Sequence, residues 1–560
     1  MKGRKIVSTL LALLLFASLP VSALAATWDI GNGDITVNAG SGGQTVTQGS
    51  QVDVPDDAPV ITGSSDEHSV TINAEKDQTA NVTLSGVNID TSTEDKAAVS
   101  TNGEGNVSIE LDGENTLKSD EGHAGLEKNN GGKLTIADKD KNGKLTAEGG
   151  KYGAGIGGGD KGNGSDIAIT GGKVTASSKS DGAGIGGGNS GDGENITISG
   201  GEVTATGGSD EEGLSSGYGA GIGGGYAGDG RNIKITGGKV TASSKNAGAG
   251  IGGGDEGNGE DITITGGEVK ASSENVGAGI GGGYKGDGKR IKITDGTVDA
   301  ASDKGAGIGG GDDGNGENIA ISGGKVTAKS SKNGAGIGGG MWGKGKDITV
   351  SGDAQLKVQG GVGDYFDGPG AGIGDGGSRP KGSTGGSPIP GAEVEPDTSG
   401  LTTNGSIEYY APGADMEKDK PTSTTTGKPT EPGKPTEPTE PTEPGKPTEP
   451  IEPAVPEQPE AERGMDAPLY FITDRDGRAV RCRAERKGGV LTVTVDEDFA
   501  VLTSSLSGMT ALRAQGIEKI IFVTNGAKTA VKLSTIISKL TANGVFRLTH
   551  DGKAATFTLG

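Results

Sequence analysis

The chain has 560 residues, 113 of them glycine, and a formal net charge of −23. Only 30% of residues are hydrophobic and 3% aromatic, too few to fill a globular core of this length, and the acidity argues against nucleic acid as a partner. The glycines follow no three-residue period, which removes a collagen-like helix, and a single cysteine, Cys482, leaves no internal disulfide.

In chain order, Lys2, Arg4 and Lys5 precede an apolar run over residues 6–18 and a small-residue site at Ala23-Leu24-Ala25. This pattern predicts a secretory signal peptide over residues 1–25. No later stretch reaches the ~18–20 consecutive apolar residues of a spanning helix. Export without membrane insertion is therefore expected, to the medium or the cell surface of a bacterium, where a cysteine-poor chain relies on packing.

Residues 26–375 carry the dominant signal. Gly-Ala-Gly-Ile-Gly-Gly-Gly occurs seven times, centred on Ile156, Ile185, Ile222, Ile251, Ile280, Ile308 and Ile337, with a degenerate eighth copy at Ile373. The spacings are 29, 37, 29, 29, 28, 29 and 36 residues. Such a period marks stacked units, each of which buries its apolar face only against a neighbour. Three short runs fill each unit: Ala-Gly-Ile, an Ile-x-Ile run such as Ile167 and Ile169, and Val-Thr-Ala as in Val174-Thr175-Ala176. Their period-two alternation predicts strands with one buried face, separated by glycine-rich corners. The expected fold is all-β: a right-handed, single-stranded parallel β-helix with three short strands per coil.

Stacking has a signature that the sequence can display. The residue before Val in the third run reads Lys173, Glu202, Lys239, Glu268, Thr297, Lys325. In register these side chains lie ~4.8 Å apart, where alternating sign is favourable. Ala98-Val99, Ala124-Gly125-Leu126 and Leu134-Thr135-Ile136 read as divergent earlier coils. Val82 and Leu84, and Val107, Ile109 and Leu111, read as Ile-x-Ile equivalents. Extra residues at 209–217 and 358–369 read as loops from a coil edge.

Residues 376–463 change composition. Lys428-Pro429-Thr430-Glu431-Pro432 and its copies build no core and predict an extended, semi-rigid linker. Residues 464–560 read as a small α+β domain. Strands are expected at 469–473, 490–495, 517–524, 546–548 and 555–559, with a helix capped by Ser534 and running to Leu540. This piece carries 13 basic and 9 acidic side chains, net +4, and cell-wall polymers are its expected partner.

Candidate chemistry lies in the loop after each triple glycine. A phosphate loop is excluded, because these glycines repeat beside strands and no helix follows them. Asp160, Asn163, Asp166, Asp192, Asp255, Asn258, Asp261, Asp312 and Asn315 line one edge with carboxylates and amides. Such oxygens suit Ca²⁺, which takes oxygen ligands with loose geometry. Asn and Asp also cap turns with their own backbone, and both readings stand. The unit beginning Met341-Trp342-Gly343-Lys344 departs from the acidic pattern and is not expected to hold the ion.

Tyr226 and Tyr284 share one repeat column two coils apart, a separation of ~9.6 Å, and are the candidate carbohydrate-binding residues. Tyr152, Tyr218, Trp342 and Tyr365 fall near the same edge in sequence. Exposed rings with a polar tip suit stacking on sugar rings. An ice-binding threonine ladder through Thr175, Thr204 and Thr241 is interrupted by Lys270 and Asp299. Catalysis would require a non-repeating cluster of carboxylate, metal and base, whereas His68, His123 and His550 are far apart in the chain.

The tandem Ala-Gly-Ile-Gly-Gly-Gly units, after the lead-in Val82-Thr83-Leu84-Ser85-Gly86-Val87-Asn88-Ile89, resemble secreted carbohydrate-binding β-helix proteins of clostridia and relatives. The resemblance covers about residues 60–375. It implies an architecture similar to polysaccharide lyases and calcium-assisted binding of an acidic plant polysaccharide such as polygalacturonate, the backbone of pectin. It carries over no individual binding residue. The expectation is a non-catalytic polysaccharide binder with Ca²⁺ bridging the Asp/Asn edge to uronate groups. A passive adhesin or surface stalk is the alternative, and a polysaccharide lyase the third.

Overall fold

The structure is a computed structural model that describes residues 25–208, 218–379, 388–427 and most of 470–559. The signal segment, the insertion at 209–217 and the Pro/Thr/Glu repeats lie outside the described residues. The chain forms two compact units, Met1–Pro435 and Thr436–Gly560.

The first unit is a parallel β-helix. The Ile-Gly strands stack into one fourteen-stranded sheet, and the other strands of each coil join a twenty-six-stranded sheet. Ile156, Ile185, Ile222, Ile251, Ile280, Ile308 and Ile337 stand one above another and are fully buried. The Ile-x-Ile and Val-x-Ala columns complete the thin interior. A regular coil contains four short strands rather than the expected three: Ile156–Gly157, Gly164–Ser165, Ile167–Ile169 and Lys173–Ser177. Asp166, at φ +57°, interrupts what would otherwise be one longer strand.

One glycine column sets the coil spacing. The glycine after each Ile has φ between +131° and +140°, as at Gly157, Gly223 and Gly338. A Cβ at Gly223 would lie 1.9 Å from the carbonyl oxygen of Gly252 on the next coil. Only glycine permits both the conformation and the close approach.

The charge column is in register. Glu114, Lys144, Lys173, Glu202, Lys239, Glu268, Thr297 and Lys325 follow one another on successive coils. Lys144–Glu114, Lys173–Glu202 and Lys239–Glu268 form ion pairs at 2.5, 3.5 and 3.7 Å. The divergent coils also align: Val99 pairs with Leu126 and Leu126 with Ile156, and Val107 pairs with Leu134. Val82 falls in the column of Ile109, while Leu84 and Leu111 pair two residues beyond it.

Both ends of the coil stack are closed. Ile35–Gly40, Gly43–Gln48 and Gln51–Pro55 form an antiparallel meander at the N-terminal end. Its buried polar groups are paired: Trp28 Nε1 donates to Asp56 (2.9 Å), and Gln44 Nε2 donates to the Asp56 and Asn81 carbonyls. At the other end the β-helix runs past the expected boundary at residue 375. Ser406–Tyr410 adds to the column beyond Gln355–Gln359, and Ser423–Thr426 folds back on it in an antiparallel hairpin. These residues have a neighbouring coil on one side only, so Leu401, Ile407 and Tyr410 bury themselves without the glycine heptad.

The second unit holds two four-stranded sheets and the short helix Leu533–Ile537. Lys532 occupies the N-cap position with no side-chain bond, so Ser534 lies inside the helix rather than capping it. Leu540 lies outside the described residues. Arg483–Lys487, Phe499–Ser505 and Lys528–Lys532 are strands that the apolar pattern did not announce.

Candidate functional site

Each loop between the Ile-Gly strand and the Ile-x-Ile strand has five positions that matter, and stacking turns each into a file. The first file reads Asp160, Asn189, Tyr226, Asp255, Tyr284, Asp312, Met341. The backbone N–H groups of Asn189, Tyr226, Asp255 and Tyr284 donate to the carbonyls of Tyr152, Asp181, Tyr218 and Ala247 at 2.7–2.8 Å. The second position has φ between +55° and +66° although it is not glycine, which lifts Lys285 and Trp342 out from the coil.

The third file is a continuous hydrogen-bonded ladder. Oδ1 of Asn163, Asp192, Asp229, Asn258, Asp287 and Asn315 each accepts the backbone N–H of the same position on the next coil, at 2.6–3.0 Å. The fourth file is a second charge ladder: Glu194, Arg231, Glu260, Lys289, Glu317, Lys346, strictly alternating in sign and in register. The fifth file is again left-handed, and Asn and Asp dominate it because they tolerate that conformation. Asn195 Nδ2 donates to Asp166 at 3.1 Å, and Arg290 makes a two-pronged pair with Asp261 at 2.8 Å. The Arg290 guanidinium holds the Asp261 carboxyl below its ordinary value.

These ladders decide what most of the nine candidate oxygen ligands do. Asn163, Asp192, Asn258 and Asn315 spend an oxygen on the next coil's backbone. Asp166 and Asp261 are tied to Asn195 and Arg290, and Asp160 accepts from Asn189 Nδ2 at 2.9 Å. Ca²⁺ needs about six to eight converging oxygens, and among the described residues no three His, Cys, Asp or Glu side chains converge on one point. The donor set fits turn capping and coil pairing, and it does not fit a Ca²⁺ cage.

Asp255 and Asp312 are different. They are 8% and 5% exposed, and Asp255 Oδ1 has no hydrogen-bond partner. Burial pushes the Asp255 carboxyl up to about 6, with Glu256 adding to the shift and Lys285 opposing it. Burial likewise pushes Asp312 up to about 7, with Asp313 adding and Lys304 opposing. The sequence placed both among the metal ligands. What set them apart was already visible in the column: they alternate with tyrosines, whereas the ladder files carry a polar residue on every rung.

The structure brings Tyr226 and Tyr284 to one edge in one file. Tyr226 is 37% exposed and packs edge-on against Tyr218, with ring centroids 5.3 Å apart. Tyr284 is half-buried, and Lys285 Nζ lies 4.6 Å from its ring centre. Trp342, two coils beyond Tyr284 and 42% exposed, donates from Nε1 to Asp367 (2.8 Å), with the Arg379 guanidinium 5.0 Å from its ring. Tyr365 and Phe366 stand beside that position in the loop carrying Asp367, and both are exposed. The sequence set that loop aside only as an ion holder, and Trp342 joins the same edge from the position after Met341.

One non-repeating polar cluster escaped sequence reasoning. His123 Nδ1 lies 2.8 Å from Glu127 Oε2, and His123 Nε2 lies 3.5 Å from Asp95. Glu127, only 8% exposed, also accepts from the Ala124 N–H and Asn129 Nδ2. A Cβ on Gly159 would meet its carboxylate at 2.8 Å. Both Glu127 oxygens are paired, so the cluster pins the coil.

The family model for the beta helix repeat matches residues 141–160, 167–189, 196–226, 233–255, 262–284, 291–312 and 319–341. Each matched segment ends on a residue of the first file. No curated protein and no solved structure matched the chain. Repeat similarity and coil-on-coil register together make this a parallel β-helix protein.

Proposed function

We propose that this β-helix is a non-catalytic polysaccharide-binding module of an exported bacterial protein. The glycan lies along the loop edge, with Tyr226, Tyr284 and Trp342 as stacking platforms. The observation that carries this reading is the spacing: Tyr226 and Tyr284 share one file on coils three and five, hence ~9.6 Å apart along the axis, and Trp342 stands one position later in the loop of coil seven. An extended polysaccharide repeats every second sugar on a similar scale, so successive platforms meet equivalent faces. Rigidity helps. Rings fixed to a stacked scaffold lose little freedom on binding.

Support from the rest of the chain is consistent. The Pro/Thr/Glu composition suits a spacer, and the net-positive residues 464–560 suit acidic cell-wall polymers. A stalk that provides only length has the regular ladders in its favour but no use for exposed rings at a two-coil interval.

Affinity electrophoresis of the full chain through gels containing pectin, xylan or soluble cellulose, with and without chelator, tests the proposal. At least one glycan should retard the protein, and the Tyr226→Ala/Tyr284→Ala variant should lose about tenfold or more in affinity, since truncating an aromatic that carries binding costs more than about 1 kcal/mol. Retardation by none would leave the stalk. Release of unsaturated uronides would replace binding by cleavage.

A further inference from the structure

Along the axis the first file reads Tyr226, Asp255, Tyr284, Asp312 on four successive coils. Ring and carboxyl alternate. The third file ties an Asp or Asn oxygen to the next coil on every rung from Asn163 to Asn315, yet Asp255 keeps a buried Oδ1 with no donor. The nearest cation does not supply one: Lys285 Nζ is engaged with Glu256 at 3.1 Å and with the face of Tyr284. Asp312 is as deeply placed, beside Asp313, Lys304 and Asp367. A buried acceptor without a partner is a standing cost to the fold. Such a cost is retained where an outside group completes the bond.

The setting indicates which group. A donor arriving here lies one coil from Tyr226 and one coil from Tyr284, ~4.8 Å along the axis from each, within reach of the hydroxyls of a sugar stacked on either ring. We propose that Asp255 and Asp312 read the hydroxyls of an uncharged polysaccharide, one carboxyl for each sugar pair stacked on Tyr226 and Tyr284. This rests on the glycan-binding reading above and adds the ligand class and the hydrogen-bonding residues. A polyuronate is disfavoured by charge. Its carboxylates would enter a site already holding Asp255 and Asp312, with Glu256 and Asp313 beside them.

The pH response separates the two ligand classes. Around Asp255 the facing charges are Glu256 and Lys285, and around Asp312 they are Asp313, Lys304 and Asp367. Raising the pH from 5 to 8 ionises both carboxyls, since they titrate near 6 and 7. An ionised carboxylate accepts hydroxyl hydrogen bonds more strongly, so an uncharged glycan is held at least as well at pH 8. A uronate is repelled more.

The experiment is affinity electrophoresis of the full chain with mixed-linkage β-glucan, linear xylan and polygalacturonate at pH 5 and pH 8. Wild type, Asp255→Ala/Asp312→Ala, Asp255→Asn and Tyr226→Ala/Tyr284→Ala are compared, with melting curves as the check on folding. Expected are retardation by an uncharged glycan that holds or grows at pH 8, a loss of tenfold or more in the double alanine variant, and a smaller loss with Asn, which keeps an acceptor. Preferential retardation by polygalacturonate overturns the inference. So does full binding by the folded carboxyl variants while the tyrosine variant has lost it. If the tyrosine variant binds as wild type does, the glycan-binding edge itself falls.

Discussion

His123 shows how one residue's surroundings set a pH window for the fold. Its imidazole is raised above the ordinary 6.5, chiefly by the hydrogen bond to Glu127, against the opposing effect of burial. Burial acts to raise the Glu127 carboxyl, but His123, Asn129 and the Ala124 N–H outweigh it and hold the group below the ordinary 4.5. The signs are opposite. The histidine's contribution is complete below about pH 6.5 and is lost as pH climbs through its folded value. The glutamate's is complete above about 4.5 and is lost as pH falls through its own folded value. Both therefore contribute fully between about pH 4.5 and 6.5. His123→Asn should lower stability there by about 1–3 kcal/mol, with the deficit shrinking toward pH 9. Melting temperatures of both proteins across pH 4–9 read this directly, and a deficit that stays constant would show that the pair's charge is irrelevant.

At the scale of the element, the ladders convert a repeat into a fold. Lys239 lies between Glu202 and Glu268 in register, and Lys239→Glu would put three like charges on consecutive coils. Each unfavourable cross-strand pair costs about 0.2–1 kcal/mol. The variant should melt lower at low ionic strength and recover most of the loss near 1 M salt, where screening shortens to ~3 Å. Lys325→Glu, flanked by Thr297 and Gln355, is the control and should change little. A salt-independent loss at position 239 would point to packing instead of charge. This ladder was legible in the sequence because its strands are five or six residues long and alternate inward and outward. The parallel ladder from Glu194 to Lys346 was written as plainly but went unread, since its strands are two residues long and carry no periodicity. The Asn163 and Asp192 ladder was hidden for another reason. An amide that caps its own turn and one that accepts from the next coil look alike until the register is known. Asp255 and Asp312 differ from the ladder residues in burial, and the tyrosines alternating with them were the one sign of it in the sequence.

For the molecule as a whole, a stack of coils has a problem that a globule lacks: its ends are open edges of two sheets. Edge strands with free N–H and C=O groups template association with other chains, and solenoids need atypical terminal units for that reason. Here residues 26–56 do the closing. Ile35–Gly40 pairs along Val70–Ala74, and Thr27–Asp29 pairs along Val60–Ser65. Trp28 and Val46 are buried against the first coils. Ile35, Val37 and Val46 alternate as strand residues do but were not read as strands, and nothing in period-two alternation states whether a strand runs parallel or antiparallel. Deleting residues 26–56 would leave the interior ladders, the glycine column and the aromatic edge untouched. It would also expose both sheet edges together with Ile61, Val70 and Ile72. The truncated protein should keep its β-sheet circular dichroism yet elute as oligomers or aggregates in size-exclusion chromatography with light scattering, while the full chain at the same concentration does not. Extension by polar substitution offers a second check: Ile72→Lys in the truncated chain, placing a charge on the newly exposed edge, should reduce association. A truncated protein that stays monomeric and melts where the full chain does would show that the coil stack closes its end without the meander.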